Sequence, residues 1–522
     1  MSVLQHLVIL PIVLPLAAGA VTLVIDERRL AAKAAISVVL AVALVAAAVA
    51  LVALVAAEGT RIYRVGDWPA PFAIVLVADR LSAAMVLLAS VLGLACLVFA
   101  LARWHREGPR FHALVHFLLM GVNGAFLTGD LFNLFVFVEA LLAASYGLAL
   151  HGSGTPRVRA GLQYIVINLV ASLLFLIGAS LIYGATGTLN LADLAARFAT
   201  AGPGERVLVE TAAAILGIAF LTKAGMWPLC FWLPDTYSAA SAPSGALFAI
   251  LTKVGVYIVL RIWLLLFGGG SGASAGFGAV WLAVGGMATI AFGMLGVLAS
   301  QNLARLAGYS VLVSSGTVLA VVSQPDAAVT SAALYYLVGS TLALAALFLL
   351  VELVERGRNP GADLLAVTAE AFAANAETVE EDDETGVAIP ATMALLAVSF
   401  VLCALMIAGL PPLAGFVGKF TLLGALLAPT PVSGVAWAML VLLLLSGLTV
   451  VIGMGRAGVR RFWASPEATV PRVRVIEMAP VALLLALCAA MTIEANPVMR
   501  YFGAAAQALH APRDYIDAVL TR

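Results

Sequence analysis

Charged residues are scarce in this chain, and hydrophobic residues take their place. Of the 522 residues, 11% are charged and 63% are hydrophobic, whereas soluble domains average about 25% and about 45–50%. A soluble enzyme, a secreted disulfide scaffold and a nucleic-acid-binding protein all fit this composition poorly, because no soluble core could bury so much apolar surface. The formal net charge is zero, so the charge balance indicates no polyanionic partner. The composition indicates a polytopic membrane protein.

Cysteine and histidine are also rare. The four cysteines lie far apart in apolar stretches and form no C-x-x-C: Cys96, Cys230, Cys403 and Cys488. We therefore expect neither a disulfide framework nor a zinc site. His112 and His116 are one helical turn apart, but no further ligand lies near them, so a structural role is favoured over a metal site. With no cysteine cluster or dinucleotide fingerprint, we expect no cofactor and no bound metal.

Long apolar runs fill most of the chain. A bilayer core requires about 20 apolar residues per helix, and this rule predicts an all-α polytopic membrane protein with about fourteen transmembrane helices. The predicted spans are residues 3–25, 33–57, 80–102, 111–128, 131–150, 160–184, 207–227, 243–267, 276–300, 304–323, 328–355, 390–428, 432–455 and 475–497. The first span lacks a basic n-region and an A-x-A site, which argues against a cleaved signal peptide.

Lysine and arginine are distributed unevenly among the loops. The even-numbered loops hold only Arg61, Arg64, Arg197 and Arg206, and the odd-numbered loops hold far more. The positive-inside rule then places the odd loops in the cytoplasm and both termini outside. One odd loop, residues 357–388, is polar and contains the acidic run 380–384. A solvated tether is the favoured interpretation of this loop, ahead of a docking surface for a partner subunit.

Four ionisable side chains lie deep inside predicted spans. They are Glu139 in the fifth span, Lys223 in the seventh, Lys253 in the eighth and Lys419 in the twelfth. A charge at the bilayer centre costs at least about 2.5–3.5 kcal/mol, so each requires a structural or functional reason. A single charge could pair with a neighbour to hold helices together. Four charges, three of them lysines, favour a proton path instead.

Glu139 and Lys223 are the residues expected to control each other. An apolar environment favours the neutral form of a lysine, and a nearby carboxylate favours the charged form. Moving the carboxylate of Glu139 away from Lys223 would therefore favour release of the lysine's proton. Arg80 and Arg261 lie nearer to span ends, where their side chains are expected to snorkel to the membrane surface and have structural roles.

Prolines interrupt two of the predicted spans. Pro228 and Pro234 bracket the end of the seventh span, and Pro411 and Pro412 break the twelfth. Unwound backbone at membrane depth is tolerated only where it is buried in protein or lines a wet cavity. Breaks at matching places predict two inverted five-helix repeats. We expect helices 1–3 in residues 1–102, the repeats in 103–267 and 268–455, and the last helix with an external C-terminal tail in 456–522.

Further polar side chains near the four charges could carry water or protons. The strongest candidates are Asp235, Tyr335, Tyr336, Ser340 and Thr341, and others are Asp130, Asn133, Ser145, Tyr146, Thr222, Thr252 and Tyr257. Taken singly, a serine or tyrosine in a membrane helix more often bonds a carbonyl or a neighbouring helix. The stretch GFVGKF lacks the first glycine and the Ser/Thr of a phosphate loop, so no nucleotide site is expected.

Four stretches together resemble a known family. DLFNLFVFVEALLAASYGL, LTKAGMWPLCFWLPDTY, SAPSGALFAILTKVGVYIVLR and GLPPLAGFVGKF resemble the antiporter-like subunits shared by respiratory complex I and the Mrp-type multisubunit sodium/proton antiporters. The resemblance covers residues 70 to 455, with the motifs in the family's order. The forms FNLFVFVE and GFVGKF are most similar to the D subunits of the Mrp type.

The resemblance implies a role for each buried charge. Glu139 matches the family's fifth-helix glutamate, Lys223 its partner in the broken seventh helix, Lys253 the central proton carrier and Lys419 the residue at the end of the path. It also implies a hetero-oligomer with the A, B, C, E, F and G subunits in a bacterial inner membrane. Exchange of cytoplasmic sodium, or another monovalent cation, for external protons is the expected function.

One departure from the family and two rival functions stay open. Many relatives carry histidine or lysine in helix ten or eleven, but here Ser314, Gly339, Ser340 and Leu344 occupy the corresponding stretches. Water, tyrosine or hydroxyl groups must then bridge Lys253 and Lys419, or the path is incomplete. The first rival is a proton-pumping subunit of complex I or a membrane-bound hydrogenase. The second is a scaffold subunit whose charges only position its neighbours.

Overall fold

The computed structural model describes residues 6–70, 74–200, 202–356, 391–462 and 471–520. Within these ranges the chain is almost wholly helical, as the apolar runs predict. The acidic loop predicted at 357–388 lies outside the described residues. The first thirteen helices are α1 (Leu10–Val24), α2 (Leu30–Glu58), α3 (Arg80–Ala100), α4 (Phe111–Leu127), α5 (Leu131–Ala149), α6 (Thr155–Thr186), α7 (Leu191–Thr200), α8 (Pro203–Lys223), α9 (Trp232–Ala239), α10 (Ala242–Phe267), α11 (Ala279–Ala299), α12 (Leu303–Val322) and α13 (Ala327–Glu355).

Six helices follow the acidic loop, and the first two belong to one broken span. They are α14 (Ala391–Ala408), α15 (Ala414–Leu427), α16 (Gly434–Phe462), α17 (Val475–Ile493), α18 (Ala495–His510) and α19 (Arg513–Leu520). Each of the fourteen predicted spans contains a helix. Eleven helices of the described residues are long and apolar enough to cross a membrane, and α1, α4 and α15 are apolar but shorter. The all-α polytopic prediction is confirmed.

The long helices form a packed centre with a lipid-type exterior. Helices α10, α12 and α13 are buried along nearly their whole length, whereas α6, α14 and α16 expose much of theirs. Most exposed positions of α6 are apolar, and Leu162 and Leu173 are both more than half exposed. Apolar side chains facing outward suit hydrocarbon rather than water. Lys253, at the middle of α10, is therefore at the centre of the protein.

Two helix pairs pack in the same way at a constant separation along the chain. Gly124 of α4 lies against the ring of Phe137 in α5, and Gly296 of α11 lies against the ring of Tyr309 in α12. Both steps, 296 − 124 and 309 − 137, equal 172 residues. The chain crosses five spans, those of α4, α5, α6, α8 and α10, before α11 begins, so the second pair begins on the opposite side of the membrane. This packing is what an inverted repeat requires.

The two broken spans also end their first halves alike. Gly225 follows α8 with φ 70° and Gly409 follows α14 with φ 78°, a left-handed conformation that glycine adopts without a Cβ clash. The next amides, those of Met226 and Leu410, donate to the carbonyl five residues earlier at 2.9 Å in both breaks. This is the Schellman way of ending a helix. The glycines end the helices, and the prolines that follow prevent their continuation.

The structure contains elements that the sequence analysis did not predict. A β-hairpin joins α2 to α3, with strand β1 (Arg61–Arg64) antiparallel to β2 (Val75–Ala78) and Arg61 opposite Ala78. The predicted C-terminal tail forms the helices α18 and α19. Helix α16 continues to Phe462, seven residues beyond the predicted span 432–455.

Arg261 does not snorkel to the surface, and this part of the sequence analysis is corrected. Its side chain is buried in α10 and pairs with Asp79, the residue that caps α3, and Arg261 Nη2 lies 2.8 Å from Asp79 Oδ1. The guanidinium also lies over the rings of Tyr257 and Tyr515. Arg261 of α10 therefore joins α3, through Asp79, and α19, through Tyr515.

Arg261→Met is expected to destabilise the fold strongly. It leaves the buried carboxylate of Asp79 without its cation, and breaking such a pair costs about 3–5 kcal/mol. Arg305→Met is the matched control, because its ion pair with Asp235 is half exposed and is worth at most about 1 kcal/mol. Thermal denaturation of the assembled complex should show a clear loss only for the Arg261 variant. Equal midpoints for both variants would contradict this assignment.

Candidate functional site

Glu139 and Lys223 are joined through a hydroxyl that the sequence analysis did not identify. Lys223 is the last residue of α8 and is 7% exposed. Its Nζ donates to Ser172 Oγ of α6 at 3.2 Å, and Ser172 Oγ donates to Glu139 Oε1 of α5. Glu139 and Lys223 are therefore joined by a serine bridge. Three different helices supply the three groups.

The serine bridge can serve both charge states of the pair. A hydroxyl has one donor and two acceptor positions, so Ser172 can accept from an ammonium and donate to a carboxylate at the same time. The same hydroxyl can pass a proton by taking one from Lys223 and giving its own to Glu139. Glu139 is only half buried, whereas Lys223 is buried, so the carboxylate is the group that solvent or a partner subunit could reach.

Ser172→Ala is expected to lower cation-dependent proton flux about tenfold while the complex still assembles. The physical reason is the loss of the one group that bonds both Glu139 and Lys223, and a factor of ten corresponds to about 1.4 kcal/mol. Ser172→Thr, which keeps the hydroxyl, should restore most of the flux. Ser90→Ala is the control, because its buried hydroxyl bonds only a carbonyl of its own helix at 2.7 Å. Equal fluxes from the Ser172 and Ser90 variants would remove Ser172 from the path.

Lys253 is completely buried and is held by hydroxyl groups. Its Nζ lies 2.8 Å from Ser314 Oγ and 3.0 Å from Ser315 Oγ, both on α12. Ser314 Oγ is 2.8 Å from Ser340 Oγ on α13. Hydroxyls can accept from an ammonium and can donate to a neutral amine. The site can therefore hold Lys253 with or without its third proton.

A small cavity lies beside Lys223, on the side facing α10. Its volume is about 20 Å³, and its wall includes Tyr164, Trp232 and Tyr237. That is space for about one water molecule. Tyr237 Oη is 2.6 Å from Thr252 Oγ1, next to Lys253 in the chain. The hydroxyl of Tyr237 therefore connects the wall of this cavity to the residue before Lys253.

Lys419 is held by the end of a broken helix. Its Nζ donates to the carbonyl of Ala408, the last residue of α14, at 2.9 Å, and to Ser446 Oγ of α16 at 3.3 Å. The carbonyls at a helix C-terminus lack intrahelical partners and carry a partial negative charge. The break in the twelfth span thus supplies the electrostatic partner of Lys419. In the first repeat, that function belongs to the carboxylate of Glu139.

Tyr336 and Ser340 occupy the space between the central and terminal lysines. Ser340 Oγ hydrogen-bonds Ser314 Oγ, and Ser314 in turn holds Lys253. The hydroxyl of Tyr336 faces Ser314, and a Cβ on Gly418 would lie 3.1 Å from the Tyr336 Cα. Gly418 is the residue before Lys419. These two predicted polar residues therefore lie between Lys253 and Lys419, where the chain has no histidine or lysine to connect the two.

The polar groups of the other three predicted supporting residues are paired away from the lysines, although the ring of Tyr335 lies against Gly418. The hydroxyl of Tyr335 donates to the Met491 carbonyl at 2.8 Å, and that of Thr341 donates to a carbonyl of its own helix. Asp235 is half exposed and forms an ion pair with Arg305 at 3.1 Å. Since each is already paired elsewhere, the structure gives no support for placing them on the path.

The two neighbouring histidines have separate partners. His116 Nε2 lies 2.7 Å from Ser37 Oγ on α2, and His112 Nε2 lies 3.4 Å from His105 Nδ1. In the part of the chain that the structure describes, no group of three or more His, Cys, Asp or Glu is placed to hold a metal ion. The contacts of His116 are those of a helix-packing residue.

The chain matches a known protein family over more than half of its length. Residues 128–453 match the family described as NADH:quinone oxidoreductase/Mrp antiporter, TM. The chain is 55% identical, over 99% of its length and 98% of the relative's, to the D subunit of a probable K(+)/H(+) antiporter of Rhizobium meliloti (strain 1021). The chain belongs to this family. It is also 34% identical to the D subunit of a Na(+)/H(+) antiporter of Bacillus subtilis (strain 168), over 99% of this chain and 100% of that protein.

Solved structures of the family share the fold over the whole chain. The structure of the Mrp complex from Dietzia sp. DQ12-45-1b contains a chain with 28% identity and a TM-score of 0.81, and the match covers 100% of both chains. A chain of respiratory complex I from Thermus thermophilus matches with 22% identity and a TM-score of 0.76, covering 97% of this chain and 99% of that one. The family resemblance read from the four motifs is confirmed.

Proposed function

We propose that this chain is the proton-translocating D subunit of a multisubunit monovalent cation/proton antiporter. The observation that carries the proposal is the set of three lysines buried inside membrane helices. The first of them, Lys223, is tied through Ser172 to the carboxylate of Glu139. Each buried charge costs several kcal/mol, so its presence inside a membrane helix favours a functional role. The relatives named as antiporter D subunits support the same function.

In the proposed mechanism Glu139 acts as the control and the lysines carry the proton. Bringing the carboxylate towards Lys223 favours the ammonium form, and moving it away favours proton release, because the Coulomb energy depends on their separation. A positive charge on Lys223 in turn disfavours one on Lys253. The proton therefore passes to Lys253 when Lys223 is neutral, then by Tyr336 and Ser340 to Lys419, which releases it.

The proposed setting is the membrane of a bacterial cell. The A, B, C, E, F and G subunits complete the hetero-oligomer, and both termini of this chain lie outside. External protons enter in exchange for a cytoplasmic cation. Relatives are named both for potassium and for sodium, so either ion, or lithium, is a candidate cation. In the described residues, the buried charges suit a proton path and no acidic cluster marks a cation site.

Cation-dependent proton flux in inside-out vesicles tests the function. The internal pH of vesicles that contain the whole complex should change on addition of K⁺, Na⁺ or Li⁺, with choline as the control. The internal pH of vesicles that lack only this chain should not change. No cation response from the whole complex would refute the antiporter. Co-purification with quinone-reducing subunits instead of small Mrp-type subunits would favour the complex I or hydrogenase rival.

A further inference from the structure

A cavity of about 340 Å³ opens between the C-terminal helices and the ends of α2, α3 and α10. Its wall includes Glu58, Arg80 and Leu265, with Asp514 and Tyr515 from α19. The buried pair of Asp79 and Arg261 also lines it. The predicted topology places this end of the protein outside. A cavity of this size holds many water molecules.

The cavity lies at the end of the helix face that carries the central lysine. Lys253, Tyr257, Arg261 and Leu265 follow each other at intervals of four residues on α10. Side chains four apart lie above one another on one face. Arg261 is eight residues from Lys253, about 12 Å along the axis. Lys253 and the cavity wall at Arg261 are therefore about two helical turns apart, and Tyr257 lies midway between them.

The hydroxyl of Tyr257 accepts a hydrogen bond from Arg261, one of the residues that line the cavity. Arg261 Nη2 donates to Tyr257 Oη at 3.2 Å and to Asp79 Oδ1 at 2.8 Å. Tyr257 itself donates to the carbonyl of Phe126 at 2.6 Å. A hydroxyl and a carboxylate therefore stand in sequence between Lys253 and external water, with one guanidinium bonded to both.

We propose that this cavity is the outer mouth of the proton path, through which external protons reach Lys253 by Asp79 and Tyr257. This inference rests on the proposed function. When Arg261 moves off one oxygen of Asp79, a hydronium ion protonates that carboxylate. Asp79 then gives a proton to Tyr257 Oη, and the phenol's own proton, which bonds the Phe126 carbonyl in this structure, turns to the neutral amine of Lys253 one helical turn away. Hydronium becomes water, Lys253 becomes an ammonium, and Asp79 and Tyr257 end unchanged.

The pairing of Arg261 with Asp79 gives this mouth a gate. While both carboxylate oxygens accept from the guanidinium, the carboxylate has little basicity, because a cation in contact favours its charged form. Protons enter only when the pair opens, so a leak of external protons is suppressed. The carboxylate of Asp514 in the wall attracts protons to the cavity, whereas Glu58 is paired with Arg61.

Cysteine accessibility tests whether external water reaches the wall beside Arg261. The four native cysteines are buried, so Leu265→Cys can be labelled by a small membrane-impermeant methanethiosulfonate added outside right-side-out vesicles. Leu264→Cys is the matched control, because it is the next residue, is equally buried and does not line the cavity. Labelling of position 265 alone, with loss of cation-dependent proton flux, is expected. Equal labelling at both positions, or labelling of 265 with unchanged flux, would overturn the proposal.

Tyr257→Phe tests the relay. The ring stays and only the hydroxyl is lost, so we expect flux to fall about 100-fold or more, the range for removing a proton-transferring group. Tyr501→Phe is the control, because its hydroxyl also donates to a backbone carbonyl, that of Arg80 at 2.9 Å. Equal fluxes in the two assembled variants would overturn the proposal. The unsubstituted complex keeps its antiport in either case, so this result is separate from failure of the proposed function.

Discussion

Lys223→Ala is expected to abolish cation-dependent proton flux in a complex that still assembles. The substitution removes one of the three amines that carry the proton and leaves Ser172 donating to Glu139, so no buried group loses its only partner. Loss of a proton-transferring side chain lowers rates by about 100-fold to about 10,000-fold. Flux in inside-out vesicles, with assembly checked by co-purification of the other subunits, measures the effect.

The control for Lys223 is another buried lysine of the same chain. Lys33 of α2 is 2% exposed and forms an ion pair with Glu27 at 2.7 Å, but it lies among α1, α2 and α4, away from the broken helix. Lys33→Ala should leave flux within about twofold, since its partner Glu27 is largely solvated and such pairs contribute little. If both variants transport normally, the buried lysines are structural and the scaffold rival is favoured.

Glu139→Gln tests whether the charge of Glu139 controls proton transfer by Lys223. Glutamine keeps the acceptor for Ser172 but cannot change charge. The charge state of Lys223 would then no longer respond to the movement of a carboxylate. We expect flux to fall less than in Lys223→Ala. Full antiport in this variant would also support the scaffold.

The sequence predicted the charges and the breaks because both violate strong rules of membrane helices. Glu139 and Lys419 are costly in hydrocarbon, and Pro228 and Pro411 cannot continue a helix. Such residues stand out against an apolar background without any alignment. The structure places all of them in the protein interior or at a helix break, so these parts of the site were predictable.

The partners of the charges were not predictable, because they are ordinary residues. Ser172, Ser315 and Ser446 are serines in membrane helices, and most such serines bond carbonyls of their own helix. The carbonyl of Ala408 has no sequence signal at all. Only the packing of α6, α12 and α16 decides which hydroxyls face a lysine. By contrast, α18 had a signal that was overlooked, since Phe502, Ala505, Ala506 and Leu509 follow helical spacing.

The two repeats solve the same electrostatic problem differently. A shift of 172 residues from Glu139 gives Val311, and the same shift from Ser172 gives Leu344, so the second repeat lacks both the carboxylate and its serine. Lys419 instead lies at the C-terminus of α14. A carboxylate can change its charge or move, but a helix end is fixed. The first repeat can therefore switch, whereas the second can only hold and release a proton.

Lys253→Met is expected to stop proton flux as completely as Lys223→Ala, because Lys253 of the first repeat bonds Ser314 and Ser315 of the second and lies on the proposed path between them. Methionine has a similar length and is apolar, so it fills the site without a buried charge. The hydroxyls of Ser314 and Ser315 then lose a partner but can bond carbonyls of their own helix, so assembly should be retained. Flux in assembled complexes is the measurement.

The serines that hold Lys253 provide the graded version of the same test. Ser314→Ala with Ser315→Ala leaves the amine in place but removes the hydrogen bonds at 2.8 and 3.0 Å that stabilise its ammonium form. An ammonium without acceptors in an apolar site is disfavoured, so flux should fall about tenfold or more. Ser310→Ala is the control, because its buried hydroxyl bonds a carbonyl of α12 at 3.0 Å. If the double variant transports like Ser310→Ala, Lys253 does not carry the proton in its charged form at this position, and the path must pass elsewhere.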